Sequence, residues 1–336
     1  MRTYQFFMGF DISKATVDLA LCSRESEDII FSKQVPNSQE GYFQVLSFLS
    51  EINIDPSHVL CCMENTGLYS RPFLSASLQN PIDIWVEQPF RIKNTQKLSR
   101  GKSDPMDAKR ISWYARRYQD KCKLWEPEEE IIEELKELIS ARNQLLNCRK
   151  EMQVSMKECK GRNPIGYNVR FEYYQQPIEA INSQLLLIES RMEELISKDQ
   201  SLEKTNSIIQ SIPGVGLHTA AALICITDNF KRFSNPRSLA CYAGVAPFPN
   251  QSGTTIKGRD KISHMANKKL KTVLHMTAMR MIRFNKEMKG YFARKVGQGK
   301  SKMSVLNAIR NKFIQLVFSL IGRGEKYQPF EEFIRS

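Results

Sequence analysis

Met8-Gly9-Phe10-Asp11-Ile12-Ser13-Lys14-Ala15-Thr16-Val17-Asp18-Leu19-Ala20-Leu21-Cys22 is the stretch on which the fold turns. Apolar and polar residues alternate on both sides of the polar Ser13-Lys14-Ala15-Thr16 turn, the period-two signature of two strands joined as a hairpin. Outward from it, residues 29–35 form a third extended run. Val59–Glu64 is a short apolar strand ending on an acid, and 83–86 is another strand. Between them, 38–51 and 68–78 carry helical spacing behind polar starts.

Three antiparallel strands, then helix, strand, helix and strand, is the order of a ribonuclease-H-like α/β fold, predicted over residues 1–125. From residue 126 the period changes. Ile131, Leu135, Leu138, Arg142, Leu145, Arg149, Met152 and Met156 step by four and three, and Ile178, Ile181, Leu185, Ile188, Met192 and Leu195 do the same. Two glycines and two prolines in 161–177 mark a bend between the runs. The spacing predicts an antiparallel helical coiled-coil arm over 126–204. Two helices of a compact bundle would share it, but the mainly polar remainder favours an arm. Its apolar stripe points to a homo-oligomer, a dimer or tetramer. A mainly α-helical segment follows over 205–326, with a tail at 327–336.

Charge is divided unevenly along the 336 residues. Residues 1–125 hold 16 basic and 14 acidic side chains, 126–204 hold 11 and 16, and 205–326 hold 21 and 4, a net +17 in a chain of net +13. Like charges at that density repel unless a polyanion neutralises them, so nucleic acid is the expected partner. Apolar runs such as 219–227 fall short of the roughly 18 residues of a membrane span. Asp11 interrupts the apolar patch at 6–10 before a signal-peptide core forms, so a cytoplasmic, nucleoid-associated protein with no membrane partner is expected. The eight cysteines show no C-x-x-C pair and read as reduced, mostly buried thiols.

Asp11 sits at the centre of an apolar strand, where a carboxylate is costly to bury unless it is paired or binds metal. Glu64 ends the strand expected to lie beside it. Asp104 and Asp107 flank Pro105, a residue suited to the first helical position, which would make Asp104 the N-cap and put Asp107 one turn on along the same face. Ordinary capping explains that pair alone; the company of Asp11 and Glu64 shifts the reading to a shared site. Four converging carboxylates need cations, and two Mg²⁺ ions about 4 Å apart would position a phosphodiester and activate an oxygen nucleophile. Asp18, Asp55 and Glu87 are set aside as turn or strand-end residues.

In the basic segment, Ile212-Pro213-Gly214-Val215-Gly216 precedes an apolar helix. Gly214 and Gly216 would offer backbone N–H groups to a phosphate, as a helix-hairpin-helix-like turn does, although a plain tight turn reads the same. Ser252, in Asn250-Gln251-Ser252-Gly253, is followed by Lys257, Arg259, Lys261, Lys268, Lys269 and Lys271, a cluster able to hold a phosphate and stabilise developing charge.

These stretches together resemble the DEDD transposases of bacterial insertion sequences of the 110 type, which include pilin-gene invertases. The resemblance covers nearly the whole chain: GFDISK around Asp11, MENTG around Glu64, GKSDPMDAKRI around Asp104 and Asp107, IPGVG at 212–216, and AGVAP…NQSGTTIKG leading to Ser252. It implies a RuvC-like domain joined to a transposase-20 domain, with Asp11, Glu64, Asp104 and Asp107 binding Mg²⁺. Ser252 would be the nucleophile of a covalent serine–DNA intermediate, and a structured guide, or bridge, RNA would pair with donor and target DNA. Where similar sequences often read ISKRGN, this chain has Ile262-Ser263-His264-Met265-Ala266-Asn267. The same acids would serve a RuvC-like Holliday-junction nuclease without a covalent intermediate, and the basic segment alone would serve a non-catalytic nucleic-acid-binding protein. Ser252 and the retention of all four acids favour the recombinase. An actin-like kinase shares the opening strands, but no later Gly-rich nucleotide motif follows.

Overall fold

The computed structural model describes residues 3–94, 104–252, 256–262 and 266–329, without the side chains of 104, 249–252 and 256–261. The chain divides into two compact units, Met1–Pro127 and Glu128–Ser336.

In the first unit, β1 (Phe6–Ile12), β2 (Thr16–Ser23) and β3 (Ile29–Pro36) form an antiparallel meander. Helix α1 (Gln39–Glu51) starts where the Ser38 hydroxyl accepts from the Gly41 amide. Strand β4 (Val59–Glu64) then lies parallel to β1. After α2 (Arg71–Ser77), β5 (Asp83–Glu87) lies parallel to β4. Helices α3 (Pro89–Asn94) and α4 (Asp104–Arg117) follow. The mixed sheet has the order β3-β2-β1-β4-β5, with β4 beside β1 as expected.

That alternation distributes the core. Met8, Phe10, Ile12, Val17, Leu19, Leu21, Cys61 and Met63 face α1 and α2. Phe7, Cys22, Leu60, Cys62 and Trp85 face α4. Helix α4 approaches β1 so closely that a Cβ at Gly9 would collide with the Ala108 carbonyl oxygen and the Ser112 amide nitrogen. Gly9→Ala is therefore expected to cost about 1–3 kcal/mol by forcing α4 off the sheet; a urea midpoint equal to that of the wild type would refute the close approach.

In the second unit, α5 (Glu130–Cys159) and α6 (Pro164–Lys198) run antiparallel, tied by Arg142–Glu189 and Arg191–Glu134 ion pairs of 2.8 Å. The bend between them is shorter than 161–177. Pro164 opens α6, the Asn163 side chain caps it, and Pro177 lies inside the helix, where it removes only one ladder hydrogen bond. Then come α7 (Gln200–Gln210), α8 (Leu217–Thr227), α9 (Pro236–Tyr242) and the hairpin of β6 (Pro247–Ser252) and β7 (Ile256–Ile262). Helices α10 (Lys268–Phe284), α11 (Lys286–Gly297) and α12 (Lys302–Arg323) complete the unit.

Ile132, Leu135, Met192 and Leu195 of α5 and α6 share a core with Ala221 and Ile224 of α8. Ile209, Leu223, Leu239, Leu270, Leu274, Phe313 and Val317 form the main core of the basic segment. The tail begins docked: the Tyr327 amide donates to Ser211 Oγ at 2.8 Å. All eight cysteines are free, and four are buried. Among the described residues, no helix is long and apolar enough to cross a membrane.

Candidate active site and nucleic-acid interface

The sheet register lines up acids across four neighbouring strands. Asp11 of β1 pairs directly with Asp18 of β2. Glu64 of β4 is one residue beyond the registered Phe10–Met63 pair, as Asp11 is, and it pairs with Glu87 of β5. Residues in register share a face, and here it is the α4 face, because Phe7, four residues before Asp11, and Cys62, two before Glu64, pack on that helix. Asp11 and Glu64, expected to face each other, are thus neighbours, both half-buried.

Two acids set aside in the sequence belong to this row. Asp18 is no turn residue: it lies inside β2, is 5% exposed, and accepts from the Gln34 side-chain amide at 3.1 Å. Glu87 does end its strand but is 4% exposed, and accepts from Tyr114 Oη at 3.2 Å and the Gln88 amide at 2.7 Å. The signal for Asp18 was its place between Val17 and Leu19, which sends it to the opposite face from both. Asp55 is an exposed turn residue that caps a short helical turn by accepting from the Ser57 amide.

Asp104 and Asp107 fall in the first turn of α4, the helix that covers this face. The helix begins at Asp104 itself, one residue earlier than the N-cap assignment, and the Asp104 side chain lies outside the described residues. Asp107 is half-buried and paired with Arg110 Nη1 at 2.7 Å. The donor set is all carboxylate oxygen, the chemistry a hard divalent cation takes. Among the described residues, no three such side chains are gathered closely enough to hold a metal ion.

In the basic unit, Ile212-Pro213-Gly214-Val215-Gly216 is the turn from α7 into α8. Gly214 has φ +91°, and its Cβ position is 3.0 Å from the Arg280 and Met281 backbone of α10, so only glycine fits. Gly216 is the N-cap of α8. His218, in the first turn, is held near pKa 4 by burial and by Arg142, so it is a neutral imidazole at pH 7 and adds no charge there. Lys268 and Lys269 are exposed and Lys271 half-buried at the start of α10. Exposed Arg280 and Arg283 on the same helix were not singled out in the sequence, since single arginines at helical spacing carry no motif.

Ser252 is the last residue of β6 and pairs with Ile256, while Lys257 pairs with Gln251 and Lys261 with Phe248. Arg259 lies between them on β7. The side chains of Ser252, Lys257, Arg259 and Lys261 lie outside the described residues.

Comparison with known proteins bears on both units. A family profile described as "Transposase", of the DEDD kind found with the insertion sequence IS110, matches residues 8–159. A second, described as "Transposase IS116/IS110/IS902 family", matches residues 206–293. The chain is 22% identical over 331 residues to the pilin gene-inverting protein of Moraxella lacunata, covering 97% of this chain and 98% of that one. It is 21% identical over 254 residues to the transposase for insertion sequence element IS1533 of Leptospira borgpetersenii, covering 69% and 72%. A solved structure of T. thermophilus RuvC in complex with a Holliday junction substrate aligns with 36% of this chain and 100% of that one, at 12% identity and a TM-score of 0.29.

Proposed function

The chain belongs to the IS116/IS110/IS902 family of transposases, and from that premise we propose that it is a site-specific DNA recombinase that cuts and rejoins strands through a covalent serine–DNA intermediate. The observation that carries this reading is the row of carboxylates on the α4 face, with Asp104 and Asp107 in the first turn of the covering helix. Buried and half-buried acids at such spacing cost stability and are kept where they bind cations. Mg²⁺ held by Asp11, Glu64, Asp104 and Asp107 would supply charge neutralisation at the phosphodiester and lower the pKa of a bound oxygen. The chain's own contribution is to fix those oxygens on a rigid sheet and helix.

Donor and target DNA are the proposed partners, selected through a structured guide RNA. The three-part division of the sequence supports this reading: acids in 1–125, paired helices in 126–204 that join copies as a dimer or tetramer, and the net +17 of 205–326 for the phosphate backbone. A cytoplasmic protein resident on the nucleoid follows from those partners.

Two measurements test the proposal. The full chain with Mg²⁺, the non-coding RNA transcribed beside its gene, and donor and target duplexes is expected to yield recombined strands. Hydrolysed ends alone would favour a junction nuclease. Binding to duplex DNA is expected to weaken steeply with salt, at a log–log slope of about −0.9 per phosphate neutralised, with about five or more phosphates engaged; a slope near zero would transfer the basic segment to another partner.

A further inference from the structure

The basic unit contains a buried arginine with no carboxylate partner among the described residues. Arg310 of α12 is 5% exposed, yet among the described residues no carboxylate pairs with it. Its Nη2 meets Nδ1 of half-buried His275 on α10 at 2.5 Å, and its Nε is buried without a hydrogen-bond partner. One turn earlier, Asn307 donates through Nδ2 to the Val245 carbonyl at 2.9 Å, and its Oδ1 is likewise buried without a partner. A guanidinium left this way is expensive, because desolvation is not repaid by an opposite charge. Burial alone pulls the Arg310 pKa down, and burial with the Arg310 charge pulls that of His275 down.

We propose that Arg310 and His275 form an anion pocket that takes a backbone phosphate of the bound nucleic acid; this rests on the recombinase reading for its polymer but not for its chemistry. The Arg310 fork suits two phosphate oxygens. With Nδ1 accepting from Arg310, the neutral His275 ring carries its proton on Nε2, a further donor. Lys268, Lys271 and His275 are spaced three and four apart on one face of α10, so a line of cationic groups leads along the helix to the pocket. Asn307 ties the same wall to Val245, two residues before β6 begins. Ser252 stands at the far end of that six-residue strand, about 17 Å on at ~3.3 Å per residue, so the phosphate held is a flanking one, not the one the serine attacks.

Full-length wild type, Arg310→Met and His275→Ala are compared by anisotropy on a random 20-base-pair DNA duplex and a 20-nucleotide RNA hairpin, and by thermal melting with and without inorganic phosphate. Arg310→Met is expected to weaken polymer binding about tenfold and to flatten the duplex salt slope by about 0.9. Loss on either polymer supports the pocket and names its source. The nucleic-acid-free variant is expected to melt at the wild-type temperature or above, since an uncompensated charge has been replaced by an apolar chain of similar length. Inorganic phosphate should raise the melting temperature of wild type but not of Arg310→Met. Unchanged slope and affinity on both polymers, or a lowered melting temperature with binding intact, would overturn the pocket and leave the recombinase reading standing. Should Arg310→Met fail to fold, His275→Ala decides: a flatter slope supports the pocket and an unchanged one overturns it. A wild type that binds neither polymer, yet is stabilised by phosphate only when Arg310 is present, would retain the pocket and sink the recombinase reading.

Discussion

Ser252→Ala is expected to abolish a denaturation-resistant protein–DNA adduct that wild type forms with its substrate, a loss on the order of 10³-fold or more in strand exchange. Strand exchange must conserve the energy of the broken phosphodiester, and a protein-linked phosphate does so where hydrolysis does not. In the proposed step Ser252 Oγ forms a bond to phosphorus as one deoxyribose oxygen leaves, and the proton lost from the serine is balanced by the one gained by that oxygen. The reverse step, with the hydroxyl of a different strand, completes the exchange. No His, Asp or Glu lies within seven residues of Ser252, so a neighbouring side chain in sequence is not its base. The adduct is therefore also expected to vanish in Asp104→Ala. An adduct persisting in Ser252→Ala would move the nucleophile elsewhere; one persisting in Asp104→Ala would free the serine chemistry from the acids.

Asp11→Asn is expected to reduce DNA cleavage by a similar factor while leaving nucleic-acid affinity within about twofold of wild type, because the proposed phosphate contacts are those of the basic segment, net +17 over 205–326. The substitution keeps the shape of the side chain, so the sheet should survive. Asp11 pairs directly with Asp18 and neighbours Glu64, so the substitution removes one of a set of like charges in register, whose mutual repulsion is worth about 0.2–1 kcal/mol. Metal-free melting thus separates two explanations of lost activity: a rise or no change points to a lost ligand, a clear fall to a damaged fold. Cleavage by Asp11→Asn at the wild-type rate with chelator present would remove the acids from the chemistry altogether.

By itself the sequence determined the five strands and most of the helices of the first unit, though not α3, and where its acids fall along the chain, because period-two alternation and helical spacing are local signals that survive without neighbours. Strand β4 was legible to the residue, and the paired helices were legible from their four-and-three steps. Pro177 was misread as part of the bend because a proline excludes itself from a helix only weakly when the rest of a 35-residue segment favours one. Tertiary structure alone decided which acids stand together. Asp18 and Glu87 joined the row through sheet register, a relation between strands that no single strand encodes. It also decided why Gly9 and Gly214 must be glycine, since the backbones that crowd them come from α4 and α10, about a hundred and about seventy residues away in sequence. Arg310 reads in the sequence as one more cation of a basic segment. Only packing against α10 buries it beside His275 with no carboxylate partner among the described residues, which is what motivates the proposed anion pocket.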